Sequence, residues 1–150
     1  MPRLLVVHHT VSPPLEALLH AVVDGASQPD LVDVDVVVRP ALVANATDVL
    51  KADGYLLGTP ANLGYMSGAL KHFFDTIYYP CLEATSRRPW GLFVHGNNDV
   101  DGAVLAVERI VAGLGWRAVA PPVRVVGPLD DAATEACWEL GATAAATLLA

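Results

Sequence analysis

Three short runs of small and polar residues hold most of the chemistry in this sequence. The first is His9-Thr10-Val11-Ser12-Pro13-Pro14-Leu15, in which Thr10 and Ser12 supply hydroxyls. Hydroxyls and backbone N–H groups converging where a helix begins suit an anion such as a phosphate. The second run, Gly58-Thr59-Pro60-Ala61-Asn62-Leu63-Gly64-Tyr65, has glycines that let a backbone approach a ligand closely. The third, His95-Gly96-Asn97-Asn98-Asp99-Val100-Asp101-Gly102, offers amides that both donate and accept. Each run also has a plainer account. Ser12 before Pro13 is a helix N-cap with proline in the first turn, and the two prolines remove two N–H donors. Ser67 is equally a helix cap, Gly64 a turn residue, and Gly-Asn-Asn-Asp ordinary turn chemistry.

Other reaction chemistries lack their residues. There is no Gly-x-Ser-x-Gly nucleophile elbow and no Gly-x-Gly-x-x-Gly dinucleotide fingerprint. His8 and His9 are adjacent, which in a strand sends them to opposite faces. His20 and His72 have no partner at ligand spacing, so no metal site is expected. His95, at a strand end, is the histidine placed to touch a bound molecule. Cys81 and Cys137 lack Cys-x-x-Cys spacing and read as reduced cysteines packed as small hydrophobes. Arg87 and Arg88 are either partners for a nicotinamide cofactor's phosphate or an exposed charge pair.

Alternating strands and helices must position these runs. Leu4 to His8 is a short apolar run suited to a strand buried on both faces. A helix follows over Leu15 to Val23, then a strand over Val34 to Val38 and a short helix within 41–52, capped near Asn45 or Thr47. A third strand from Gly54 to Leu57 stops at Gly58-Thr59-Pro60. Leu70, Phe73, Phe74 and Ile77 form a helical stripe within Ser67 to Ile77. The fourth strand is Trp90 to Val94, followed by a helix over Asp101 to Leu114. A fifth lies within Trp116 to Val126, interrupted by Pro121-Pro122, and the last helix spans Asp130 to Leu149. Five strands, each followed by a helix, form a doubly wound parallel α/β sheet of order 2-1-3-4-5 with helices on both faces. Ligands collect at the carboxyl ends of such strands, and the three polar runs follow strands one, three and four. A receiver domain of the same topology needs a phosphoacceptor Asp where this chain has Gly58-Thr59.

At 150 residues the chain is one domain's worth. Hydrophobic residues make up 53% and charged ones 17%, the balance of a core covered on both sides. A net charge of −7 excludes a nucleic-acid groove, which needs cations for backbone phosphates. Leu4 to Val7 is too short for a signal sequence, and no apolar run spans a bilayer. The expectation is a cytoplasmic protein with no membrane partner.

The stretch Tyr55-Leu56-Leu57-Gly58-Thr59-Pro60-Ala61-Asn62-Leu63-Gly64-Tyr65-Met66-Ser67-Gly68 resembles a known flavin-ring segment. It is similar to that of the NADPH-dependent FMN reductases and the quinone reductases of the tryptophan-repressor-binding-protein type, both flavodoxin-like. There a strand ends in Gly-Thr-Pro, a loop wraps the ring, and Met-Ser-Gly opens the next helix. The match continues through Lys71, Phe74 and Asp75, is specific over Gly54 to Asp75, and covers the rest in outline. The resemblance implies FMN as cofactor and electron transfer from NAD(P)H to a quinone-like or other small acceptor. It places the phosphate at Thr10, Ser12, Pro13 and Leu15, with Pro13 where those families carry Gly. It places the ring against Thr59, Pro60, Ala61, Asn62, Leu63, Gly64 and Tyr65, with Gly58 and Gly64 allowing close approach and Tyr65 or Leu63 covering one face. His95, Gly96, Asn97 and Asn98 would pack at the pyrimidine end, and Tyr78 and Tyr79 would line the open face for substrate. Catalysis needs no protein acid or base here. A homodimer is the expected assembly. Two other readings stay open: a flavodoxin-type electron carrier, which usually sandwiches the ring between aromatics that 95–102 lacks, and a flavin-free interaction protein, which Pro13-Pro14 favours.

Overall fold

A computed structural model describes all 150 residues. Strands β1 (Arg3–His8), β2 (Asp35–Pro40) and β3 (Gly54–Asn62) pair in parallel, with β1 in the middle. The short β4 (Tyr65–Met66) turns back antiparallel onto β3. On the other side of β3 lies β5 (Pro89–Gly96), parallel to it. The fifth strand is split, as Pro121-Pro122 dictates, into β6 (Arg117–Ala118) and β7 (Val123–Val126). Both pieces pair with the same edge of β5, which gives the expected doubly wound order.

Alternation along the central strands decides which face each residue serves. Leu4, Val6, Leu56 and Phe93 pack under α1 (Pro13–Ala26) and α5 (Asp131–Leu149). Leu5, Val7, Tyr55, Leu57, Leu92 and Val94 pack under α2 (Ala46–Lys51), α3 (Gly68–Cys81) and α4 (Asp101–Leu114). Because both faces are covered, these strands are continuous apolar runs. The helix starts carry the expected caps: Ser12 for α1, an Asn45–Asp48 capping box for α2 and Ser67 for α3.

Gly25 and Gly141 let α1 and α5 touch backbone to backbone. A Cβ on Gly141 would overlap the Val22 carbonyl, and one on Gly25 the Trp138 carbonyl. Cys81 and Cys137 are free thiols buried in the two cores, and burial pushes Cys137 up to about 12. Arg88 is not an exposed charge. Its Nη1 donates to the Ala52 carbonyl at 2.7 Å and the Leu50 carbonyl at 3.1 Å, closing the end of α2. No helix is long and apolar enough to cross a membrane.

Candidate functional site

The second polar run is a hairpin rather than a loop. β3 continues five residues past the expected Leu57 to Asn62, turns through Leu63 and Gly64, and returns as β4 with Ala61 opposite Met66. Leu63 and Gly64 have φ of 51° and 75°, both positive, the pattern of a two-residue type I′ turn. The base of the hairpin is tied down by Thr59, which is fully buried. Its hydroxyl donates to the Pro60 carbonyl at 2.8 Å and accepts the Ser67 N–H at 3.0 Å. Ser67 in turn caps α3 through the Leu70 N–H at 3.2 Å. The Thr59 side chain is thus spent on holding the hairpin to α3.

Gly58 has a different job from the expected one. The space a Cβ would occupy is filled by the Phe93 ring from the neighbouring strand, so Gly58 serves the sheet and not ligand approach. Gly64 has open space around it and serves the turn. At its tip the hairpin rests on α4, where a Cβ on Gly102 would collide with the Gly64 carbonyl.

Leu63 is fully exposed in a left-handed conformation that costs a leucine roughly 1–2 kcal/mol. Asn tolerates that conformation and Asn-Gly is the favoured pair for this turn. Leu63→Asn is therefore expected to stabilise the fold by about 0.5–1 kcal/mol in urea unfolding. A loss of stability would mean that Leu63 makes contacts worth more than its strain.

Two adjoining hollows run along the carboxyl edge of the sheet. One, of about 300 Å³, has Val11, Ser12 and Pro14 on one wall and Pro60, Ala61 and Asn62 on the other, with His95, Gly96 and Asn97 behind. The other, of about 340 Å³, lies between the hairpin tip (Ala61, Leu63, Gly64) and Asn97, Asn98 and Asp99. They share Ala61 and Asn97, and each is at the lower end of ligand-site volumes. Neither is lined by Lys or Arg, and Asp99 gives the second hollow a carboxylate. Arg124, on β7, pairs with Asp101 at 2.8 Å.

His95 is 7% exposed, and its Nε2 lies 2.8 Å from the Gly127 carbonyl. A carbonyl can only accept, so Nε2 carries the proton and, in the neutral ring, Nδ1 is an acceptor. Among the first run, Ser12 lines the cleft, whereas Thr10 is held by His8, with Nδ1 and Oγ1 2.8 Å apart. Burial, and then the charge of His9, hold the His8 pKa below its usual value. Leu15 is buried under the sheet with its N–H directed at Ser12 Oγ, so its side chain faces no ligand.

Tyr65, Tyr78 and Tyr79 lie elsewhere. Tyr65 lines a hollow against α4 with Leu105 and Arg109. Tyr78 and Tyr79 line a groove of about 370 Å³ between α3 and α4, with the Tyr78 hydroxyl against Gly113 in the last turn of α4. α3 leads away from the cleft, and ten residues at about 1.5 Å each carry the two tyrosines some 15 Å along it. The structure places them in this groove and not among the residues that line the two hollows. Conversely, Val11, Pro14 and Asp99, which lie within the first and third runs without a predicted contact, line the cleft.

No protein-family model matches the sequence. Among solved structures, a flavodoxin from the domain Archaea superposes with a TM-score of 0.83 at 17% identity over 99% of both chains. The flavodoxin, WrbA-like protein from Agrobacterium tumefaciens gives 0.80 at 16% identity over 99% of this chain and 98% of that one. A flavodiiron core from Synechocystis gives 0.82 at 18% identity, over 99% of this chain and 36% of that chain. Strand order, helix layers and these superpositions agree: the chain has the flavodoxin-like fold.

Proposed function

We propose that the carboxyl-edge cleft binds a flavin ring and that the protein takes part in electron transfer. The observation that carries this reading is the hollow between the hairpin tip (Ala61, Leu63, Gly64) and Asn97-Asn98-Asp99, at the carboxyl edge of the sheet. In this reading the hairpin tip at Leu63 and Gly64 meets the polar edge of the ring, and the amides of Asn97 and Asn98 supply donors or acceptors beside it. Leu63, not Tyr65, is the residue set to cover one face. When bound, the flavin supplies the redox chemistry, and the chain binds, orients and shields it.

No Phe, Tyr or Trp lines either hollow, so in this reading one face of a bound ring stays open to a small molecule. That supports a reductase passing electrons from NAD(P)H to a quinone-like acceptor over a carrier with an enclosed ring. Arg88 is committed to the end of α2, so a nicotinamide donor would be held by other groups.

Titrating FMN with the protein is expected to quench its fluorescence saturably at one flavin per chain. NAD(P)H oxidation with a soluble quinone then distinguishes reductase from carrier. Absence of quenching at high micromolar concentration would overturn the flavin reading.

A further inference from the structure

The phosphate end of the cleft does not match its ring end. Phosphates bind at helix N-termini through the free N–H groups of the first turn. In α1 those groups are gone. Pro13 and Pro14 occupy the first two positions and carry no N–H. The Leu15 N–H is directed at Ser12 Oγ at 3.4 Å, and the Glu16 N–H donates to the Ser12 carbonyl at 3.0 Å. The Thr10 hydroxyl is engaged by His8. What α1 and its loop offer the cleft is Val11, Ser12 and the ring of Pro14, a mostly apolar wall. No Lys or Arg lines it, and Glu16 adds an acidic residue to the first turn.

The N–H groups of Thr10, Val11 and Ser12 make no hydrogen bond within the chain. Water satisfies exposed amides almost as well as a phosphate does, and a phosphate must shed its own hydration to reach them. Three such groups, with neither a cation nor a free helix end behind them, give little net attraction for a dianion.

Resting on the flavin reading above, we infer that this cleft recognises the isoalloxazine ring and leaves the terminal phosphate in solvent. Its ligand class is then flavins with or without the phosphate, riboflavin included. This differs from a site in which charge-assisted bonds to the phosphate dominate affinity.

The test is a pair of fluorescence titrations of the full chain, one with riboflavin and one with FMN. Dissociation constants within about five-fold of one another are expected, because neither a cation nor a free helix-end N–H meets the phosphate. A Pro13→Gly variant, at a position that lines neither hollow, restores one helix-end donor and should tighten FMN relative to riboflavin by about five-fold or more. Circular dichroism confirms that the variant is folded. FMN binding to the unaltered protein more than about ten-fold tighter than riboflavin would overturn the inference and leave the flavin reading standing. If neither flavin binds, the flavin reading falls and the inference falls with it.

Discussion

Gly102→Val is expected to weaken flavin binding by at least about ten-fold while the fold survives. Gly102 sits in the first turn of α4, and any Cβ there would overlap the Gly64 carbonyl at the tip of the hairpin. That neighbour is backbone, and it lies in a tight turn with positive φ at both central residues. It has no rotamer through which to yield, so the tip must lift from α4. Leu63 and Gly64 move with it, and they form one wall of the second hollow. Helix propensity favours a side chain at this position by roughly 0.5–1 kcal/mol, which offsets part of the steric cost to stability but none of the displacement. The expected pattern is a thermal midpoint within a few degrees of the unaltered protein and a flavin dissociation constant raised by about an order of magnitude or more. Undiminished binding by a folded Gly102→Val protein would show that the hairpin tip does not form the site.

Gly141→Val should instead damage the fold. Gly141 is buried in α5 and faces the Val22 carbonyl of α1, at one of the two places where α1 and α5 meet backbone to backbone. In an exposed helix interior, replacing glycine stabilises by up to about 1 kcal/mol. Here the added carbons meet a main-chain carbonyl, and overpacking of this kind costs about 1–3 kcal/mol or more. Steric cost wins, because relief requires α1 and α5 to separate over Leu4, Val6, Leu18 and Leu140, their shared core. A net loss of about 2–3 kcal/mol corresponds to a drop in melting temperature of roughly 5–10 °C for a domain of this size. A midpoint within about 2 °C would mean the two helices slide without loss of packing.

The contrast between these two glycines bears on what was legible beforehand. The parallel sheet is written in Leu4 to His8, Tyr55 to Leu57 and Trp90 to Val94, because a strand buried on both faces must be apolar throughout. Pro121-Pro122 marked the break in the last strand, and Ser12, Asn45 and Ser67 marked helix starts through local hydrogen bonds. The hairpin was not legible. Its return strand has two residues, too few for any alternation, and Leu63-Gly64 lacks the Asn-Gly signature of its turn. Partners distant in sequence were equally hidden: Phe93 over Gly58, Gly64 over Gly102, and Arg88 at the end of α2. Tyr78 and Tyr79 follow a flavin-segment resemblance closely in the chain, but the helix between them and the cleft turns nearness in sequence into distance in space.

The split fifth strand carries a consequence for solubility. At this side of the sheet an incoming strand from another molecule would find only two residues of β6 or four of β7 to pair with. The interruption by Pro121-Pro122 denies it a continuous template, a common protection against edge-to-edge aggregation. Removing both prolines would lengthen that template and would be expected to raise the tendency of the protein to form ordered aggregates even where its folded stability improves.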